Sequence, residues 1–173
     1  MTNKPSFTPE EWHRIVGSPM VVSMAVTAAD PSGLWGILKE GLAGGWAMVE
    51  ARRDSRSNEL IKAVAEDFAT AETRESTRTA LQEKFKVRDI ADIRTRAIEE
   101  LRSVAALLDA KAPSDAGAFK SWLGEIAQKA AEAATEGGFL GFGGVAVSEK
   151  EKATLAEIAS ALKSPSSSES RRL

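Results

Sequence analysis

His13 is the single histidine of the chain, and Glu10 stands three residues before it. A Glu-x-x-His pair on one helix face is how ferritin-like bundles hold iron, but a single-chain site needs two such pairs and further glutamates. A lone pair would have to be completed by a symmetric partner, and Glu10 and Glu11 already have a use at a helix start, where carboxylates meet free amides. The sequence therefore assigns no metal ligand. A serine triad would need the same histidine, and no Gly-x-Ser-x-Gly elbow presents a nucleophile. Cysteine is absent, which removes thiol nucleophiles, thiolate metal sites and disulfides together and agrees with a reducing compartment. No catalytic residue and no cofactor follow from these residues.

Glycine offers the next chemistry. Gly137-Gly138-Phe139-Leu140-Gly141-Phe142-Gly143-Gly144 exposes backbone amides of the kind that cradle phosphate. Nucleotide-binding loops of that kind follow a strand and open a helix; here no strand precedes, and no Lys-Ser/Thr pair closes the loop. The better use for Phe139, Leu140 and Phe142 is apolar: they plug the core, or they stand as an anchor for a partner chain. A second glycine cluster, Gly36, Gly41, Gly44 and Gly45, lies inside a periodic helix, where each glycine costs about 1 kcal/mol relative to alanine. Gly41 and Gly45 fall in the middle of the face formed by Leu34, Ile37, Leu38, Leu42, Met48 and Val49, with Trp35 and Trp46 at one margin. That small-xxx-small surface admits another backbone, either inside the domain or in a homodimer. The same Trp, Leu and Gly content suits a lipid interface, although the polar face carries Lys39, Glu40 and Glu50 and not a row of lysines.

Arg74, Arg78, Lys84, Lys86, Arg88, Arg94 and Arg96 concentrate positive charge in mid-chain, a possible phosphate-contacting stripe. Glu75, Glu83, Asp89 and Asp92 interleave with them, the pattern of a solvated helix face laced with ion pairs. With 23 basic against 25 acidic residues the net charge is -2, so no global field draws the chain to nucleic acid or anionic lipid. Any such binding would need a local patch, and with the basic stripe read as a solvated face no nucleic-acid partner is expected.

These residues must be positioned by helices. Hydrophobic residues make up 43% and charged residues 28% of the 173, a balance that suits one globular domain and not a disordered chain. Thr8-Pro9-Glu10-Glu11 reads as a capping box with proline at the first helical position, and Gly17 is expected to end that helix. Ser18-Pro19 repeats the start signal, so Pro19 to Ala29 reads as a separate, apolar and deeply buried helix. Asp30-Pro31 opens a third, running to about Arg53. Ser57 is expected to cap a helix from Asn58 to about Thr70, with Leu60, Ile61, Val64 and Phe68 on one stripe. Ala71 to Arg88 reads as a marginal, mostly exposed helix.

Ile90, Ile93, Ala97, Leu101, Val104 and Leu108 follow a near-heptad spacing on a long helix that ends near Ala112-Pro113. Ser114 or Asp115 is expected to cap the next, whose inner face is Phe119, Trp122, Leu123, Ile126, Ala130, Ala133 and Ala134. Ser148-x-x-Glu151 forms a capping box before the last amphipathic helix, with Leu155, Ile158 and Leu162 inward. No stretch alternates as a strand would, and only Val145 to Val147 could form a short extended piece. Met1 to Phe7 has no apolar signal core, and no run approaches the ~18 apolar residues of a membrane span. The cytoplasm is the expected compartment.

Phe7-Thr8-Pro9-Glu10-Glu11-Trp12, Ala28-Ala29-Asp30-Pro31-Ser32-Gly33-Leu34 and the block 136–148 resemble a set of uncharacterised bacterial helical proteins, over most of the chain. That resemblance implies a small helical bacterial protein and no activity. Much weaker is a similarity to the tellurite-resistance TerB-like helical domains, carried by Ala29-Asp30 and Val147-Ser148-Glu149-Lys150-Glu151. It implies a stress-related metal-binding domain. Pro31 and Ser32, however, stand where that family places Gly and an acidic residue, and Gly143-Gly144 lacks its Asp.

The expected fold is thus all-α, a compact bundle of about six or seven helices with a Gly/Phe-rich loop before the last. One domain spans residues 1–163, and the Ser-rich tail 164–173 is expected to be disordered. The expected function is non-enzymatic: contact with an unknown protein partner or a second copy of the chain, through Trp35, Gly41, Gly45, Trp46, Phe139, Leu140 and Phe142. Reversible membrane-surface association through the helix at 31–53 is the alternative, and TerB-like metal binding the third reading.

Overall fold

The computed structural model describes residues 6–29, 58–85, 90–136 and 149–163. Their regular structure is α-helical, without a strand, in the order α1 (Pro9–Ala29), α2 (Glu59–Phe68), α3 (Ala71–Lys84), α4 (Ile90–Lys111), α5 (Pro113–Glu136) and α6 (Glu149–Leu162). The all-α bundle expected from the periodicities is the fold.

The start of α1 is fixed by its own residues. Thr8 Oγ1 accepts from the Glu11 amide at 3.2 Å while a Glu11 carboxylate oxygen accepts from the Thr8 amide at 2.8 Å, so two amides without helical acceptors are satisfied reciprocally. Phe7, just before the cap, stacks obliquely on Trp12 with ring centroids 5.9 Å apart. That apolar staple fixes the angle at which the chain enters the helix.

Gly17 does not end α1, and Ser18-Pro19 does not begin a new helix: one 21-residue helix carries both. Proline lacks the amide that would bond the carbonyl four residues back, here that of Ile15. Ser18 replaces it, its hydroxyl donating to the Ile15 carbonyl at 2.7 Å. The serine that reads as a cap in the sequence is an internal repair of the helix ladder. From Ile15 to Ala29 no residue of α1 is exposed, and α1 contacts all five other helices. The deep burial expected for Pro19 to Ala29 holds for one face only: Pro19, Val21, Val22, Ala25, Val26 and Ala29 are buried, while Met20, Ser23, Met24, Thr27 and Ala28 are half-buried; α1 is the central helix of the described residues.

The remaining helices lean on this axis. Asn58, not Ser57, caps α2, accepting the Leu60 amide at 2.8 Å, and Leu60, Ile61 and Val64 are buried with Phe68 half-buried. Thr70 caps α3 by accepting the Thr73 amide at 3.2 Å. As expected, α3 is mostly exposed, and within it only Thr77 is buried. In α4 the stripe Ala97, Leu101, Val104 and Leu108 is wholly buried. Helix α5 starts one residue before the serine expected to cap it, at Pro113, whose missing amide is no loss at a first helical position. Asp115 is not the cap either; it is a buried carboxylate that accepts from the Asn58 side chain at 2.7 Å. Phe119, Leu123, Ile126 and Ala130 of α5 and Ile158 and Leu162 of α6 complete the core.

Candidate functional site

Glu100 interrupts the apolar stripe of α4. It stands three residues after Ala97 and four before Val104, which places its side chain on the inward face, and it is 6% exposed. A carboxylate removed from water to that degree requires counter-charges and hydrogen bonds. Two other helices supply them. Arg14 of α1 donates through Nε to one Glu100 oxygen at 2.8 Å and through Nη2 to the other at 3.1 Å, the fork geometry that suits guanidinium to carboxylate. Lys84, the last residue of α3, donates its ammonium to the second oxygen.

Burial by itself raises the Glu100 carboxyl pKa, but the hydrogen bonds from Arg14 and Lys84 outweigh it and hold the group below its usual range. The same bond to Glu100 pushes the Arg14 guanidinium further up. Glu100 therefore stays ionised at neutral pH with both oxygens engaged. The arrangement is a clasp joining α1, α3 and α4.

Beside the clasp, α3 crosses α1 at a glycine. A methyl group placed on Gly17 would lie 3.4 Å from Thr77 Cγ2 and 3.8 Å from Leu81 Cδ2, so α3 packs close enough to leave room for a methyl group there and for nothing larger. Thr77 is 1% exposed, and its hydroxyl has no hydrogen-bond partner. Further polar ties run between helices: the Trp12 indole donates to Asp67 at 2.7 Å, Lys111 to Glu11 at 2.6 Å and Lys120 to Asp109 at 2.5 Å.

The residues singled out as an interaction surface, Trp35, Gly41, Gly45, Trp46, Phe139, Leu140 and Phe142, lie outside the described residues, as do the 31–53 helix, Ser148 and the tail. Glu10 and His13 are described, and both are exposed on the first turns of α1. Among the described residues no group of three or more His, Asp or Glu could hold a metal ion, and no helix is long and apolar enough to cross a membrane. Of the basic stripe, Lys84 is in the clasp, Arg78 lies 3.9 Å from Glu75, and Arg94 lies 3.7 Å from Glu157. Arg74 donates to the Ala69 carbonyl at 2.6 Å, at the C-terminal end of α2. These cations have partners within the chain, as interleaved charges do on a solvated face; Lys86 and Arg88 lie outside the described residues.

Sequence reasoning missed Arg14, Lys84 and Glu100 as a group. A glutamate on an apolar stripe was a legible signal that something must neutralise it. Its partner Arg14 is 86 residues away, and periodicity carries no information about that. No protein-family model matches the chain, and neither a curated protein nor a solved structure is significantly similar to it.

Proposed function

We propose that the protein works without catalysis, through contact with other protein chains, a second copy of itself included. The observation that supports this best is the use made of a deeply set charge: Glu100 is taken up by Arg14 and Lys84 in holding three helices together. Further ties between helices, among them Trp12 to Asp67 and Asn58 to Asp115, are likewise structural. A helical frame tied together in this way serves to present surfaces. The surfaces proposed to meet the partner are those that the sequence makes large, apolar and glycine-rich, around Trp35, Gly41, Gly45 and Trp46 and around Phe139, Leu140 and Phe142.

The test uses the full chain and a Phe139→Ala/Phe142→Ala double variant. Light scattering reads self-association, and affinity capture from the native host reads other partners. The variant is expected to lose the associated chain while keeping its helical circular dichroism. Flotation of the unmodified protein with anionic vesicles, with no associated protein recovered, would overturn the proposal in favour of membrane-surface binding. A melting temperature raised by a divalent cation, again with no associated protein, would do so in favour of metal binding.

A further inference from the structure

We infer that α3 is a strap that opens and closes over the central helix α1 while the rest of the bundle stays folded. Local opening is expected where a segment buries little apolar surface and rests on hydrogen bonds that water can replace. Helix α3 fits that description: of Ala71–Lys84 only Thr77 is buried, Thr73, Ser76 and Leu81 are half-buried, and the rest is exposed and largely charged or polar. Fourteen residues of this composition form a marginal helix without tertiary support. The support is lopsided. Phe85 and Lys84 anchor the C-terminal end, one in the core and the other on Glu100. The middle rests on Thr77 and Leu81 over the Gly17 notch.

Two features lower the cost of opening. The Thr77 hydroxyl is buried without a hydrogen-bond partner, so the closed state carries an unsatisfied polar group that opening returns to water. Release of Lys84 does not strand Glu100, because Arg14 keeps both carboxylate oxygens bonded. A buried carboxylate with Lys84 as sole partner would lock the helix; one with two cations lets the outer cation go. Lys84 is that outer cation, 44% exposed. Opening uncovers the Gly17 notch of α1 with the Arg14–Glu100 pair beside it.

Native-state hydrogen exchange on the full chain, followed by mass spectrometry of peptides covering 71–84, tests the strap. Amides of α3 are expected to exchange far faster than those of α4 and α5, with a weaker dependence on denaturant because little surface is exposed. Thr77→Val replaces the unsatisfied hydroxyl by a methyl group and is expected to slow α3 exchange roughly threefold or more. Thr77→Ser keeps the hydroxyl but loses the methyl that covers Gly17, and is expected to speed it. Lys84→Ala is expected to speed it roughly two- to tenfold, with α4 and α5 unchanged. Exchange of α3 at the rate and denaturant dependence of α4 and α5 would overturn the inference, as would equal effects of the Thr77 and Lys84 substitutions on all helices.

Discussion

Removing the Ser18 hydroxyl should cost stability only while residue 19 is proline. Ser18 is 0% exposed and its hydroxyl donates at 2.7 Å to the Ile15 carbonyl, the group that Pro19 leaves without its helical amide. In Ser18→Ala that carbonyl sits in the core, beyond the reach of water, and a buried acceptor so abandoned costs about 1 to 3 kcal/mol. For a chain of this size each kcal/mol moves the melting temperature by about 2 to 4 °C, so a fall of roughly 2 to 12 °C is expected. In a Pro19→Ala background the backbone amide regained at that position returns to the ladder and supplies the missing donor. There Ser18→Ala should cost no more than a few tenths of a kcal/mol, leaving a coupling of roughly 0.7 to 3 kcal/mol. Pro19→Ala by itself has opposing effects, since it restores an amide and removes buried ring contacts, but those effects cancel in the cycle. The assay is urea unfolding of the four proteins, followed by circular dichroism. Equal costs of Ser18→Ala in the two backgrounds would refute the repair, and so would no cost with proline present.

The clasp predicts an acid limb of stability. The folded-state pKa of Glu100 lies below its ordinary value, so its contribution is complete above the ordinary carboxylate range and is lost as pH falls through the lowered pKa. Glu100→Gln should cost roughly 1 to 3 kcal/mol at pH 7, discounted for the access of Arg14 and Lys84 to water, and should flatten the acid limb in a pH series of urea midpoints. Gly17 predicts opposite signs for two substitutions. Gly17→Ala meets Thr77 at ordinary contact distance and gains helix propensity, so its melting temperature should rise by an amount equivalent to about 0.5 to 1 kcal/mol. Gly17→Leu should overpack the α1–α3 crossing and lower it by about 1 to 3 kcal/mol, as thermal unfolding would read.

Local residue chemistry determined a great deal here. The Thr8–Glu11 capping box, the stripe Ala97, Leu101, Val104 and Leu108 on α4, and the weak burial of α3 follow from spacings of three and four residues, which a helix converts directly into a face. So did the all-α class. Tertiary structure alone decided whether Ser18-Pro19 starts a helix or lies inside one. The dipeptide has two solutions, a cap at a helix end or a serine repairing the carbonyl that proline orphans, and burial against five neighbouring helices selected the second. Tertiary structure also decided that Glu100, one of three buried carboxylates among the described residues, meets Arg14 from 86 residues away and Lys84 from 16. The sequence records which groups carry charge and which face they occupy, but the pairing depends on how whole helices cross. Crossing is set by the fit of entire surfaces, such as Thr77 over the bare backbone of Gly17, and no local spacing encodes that fit.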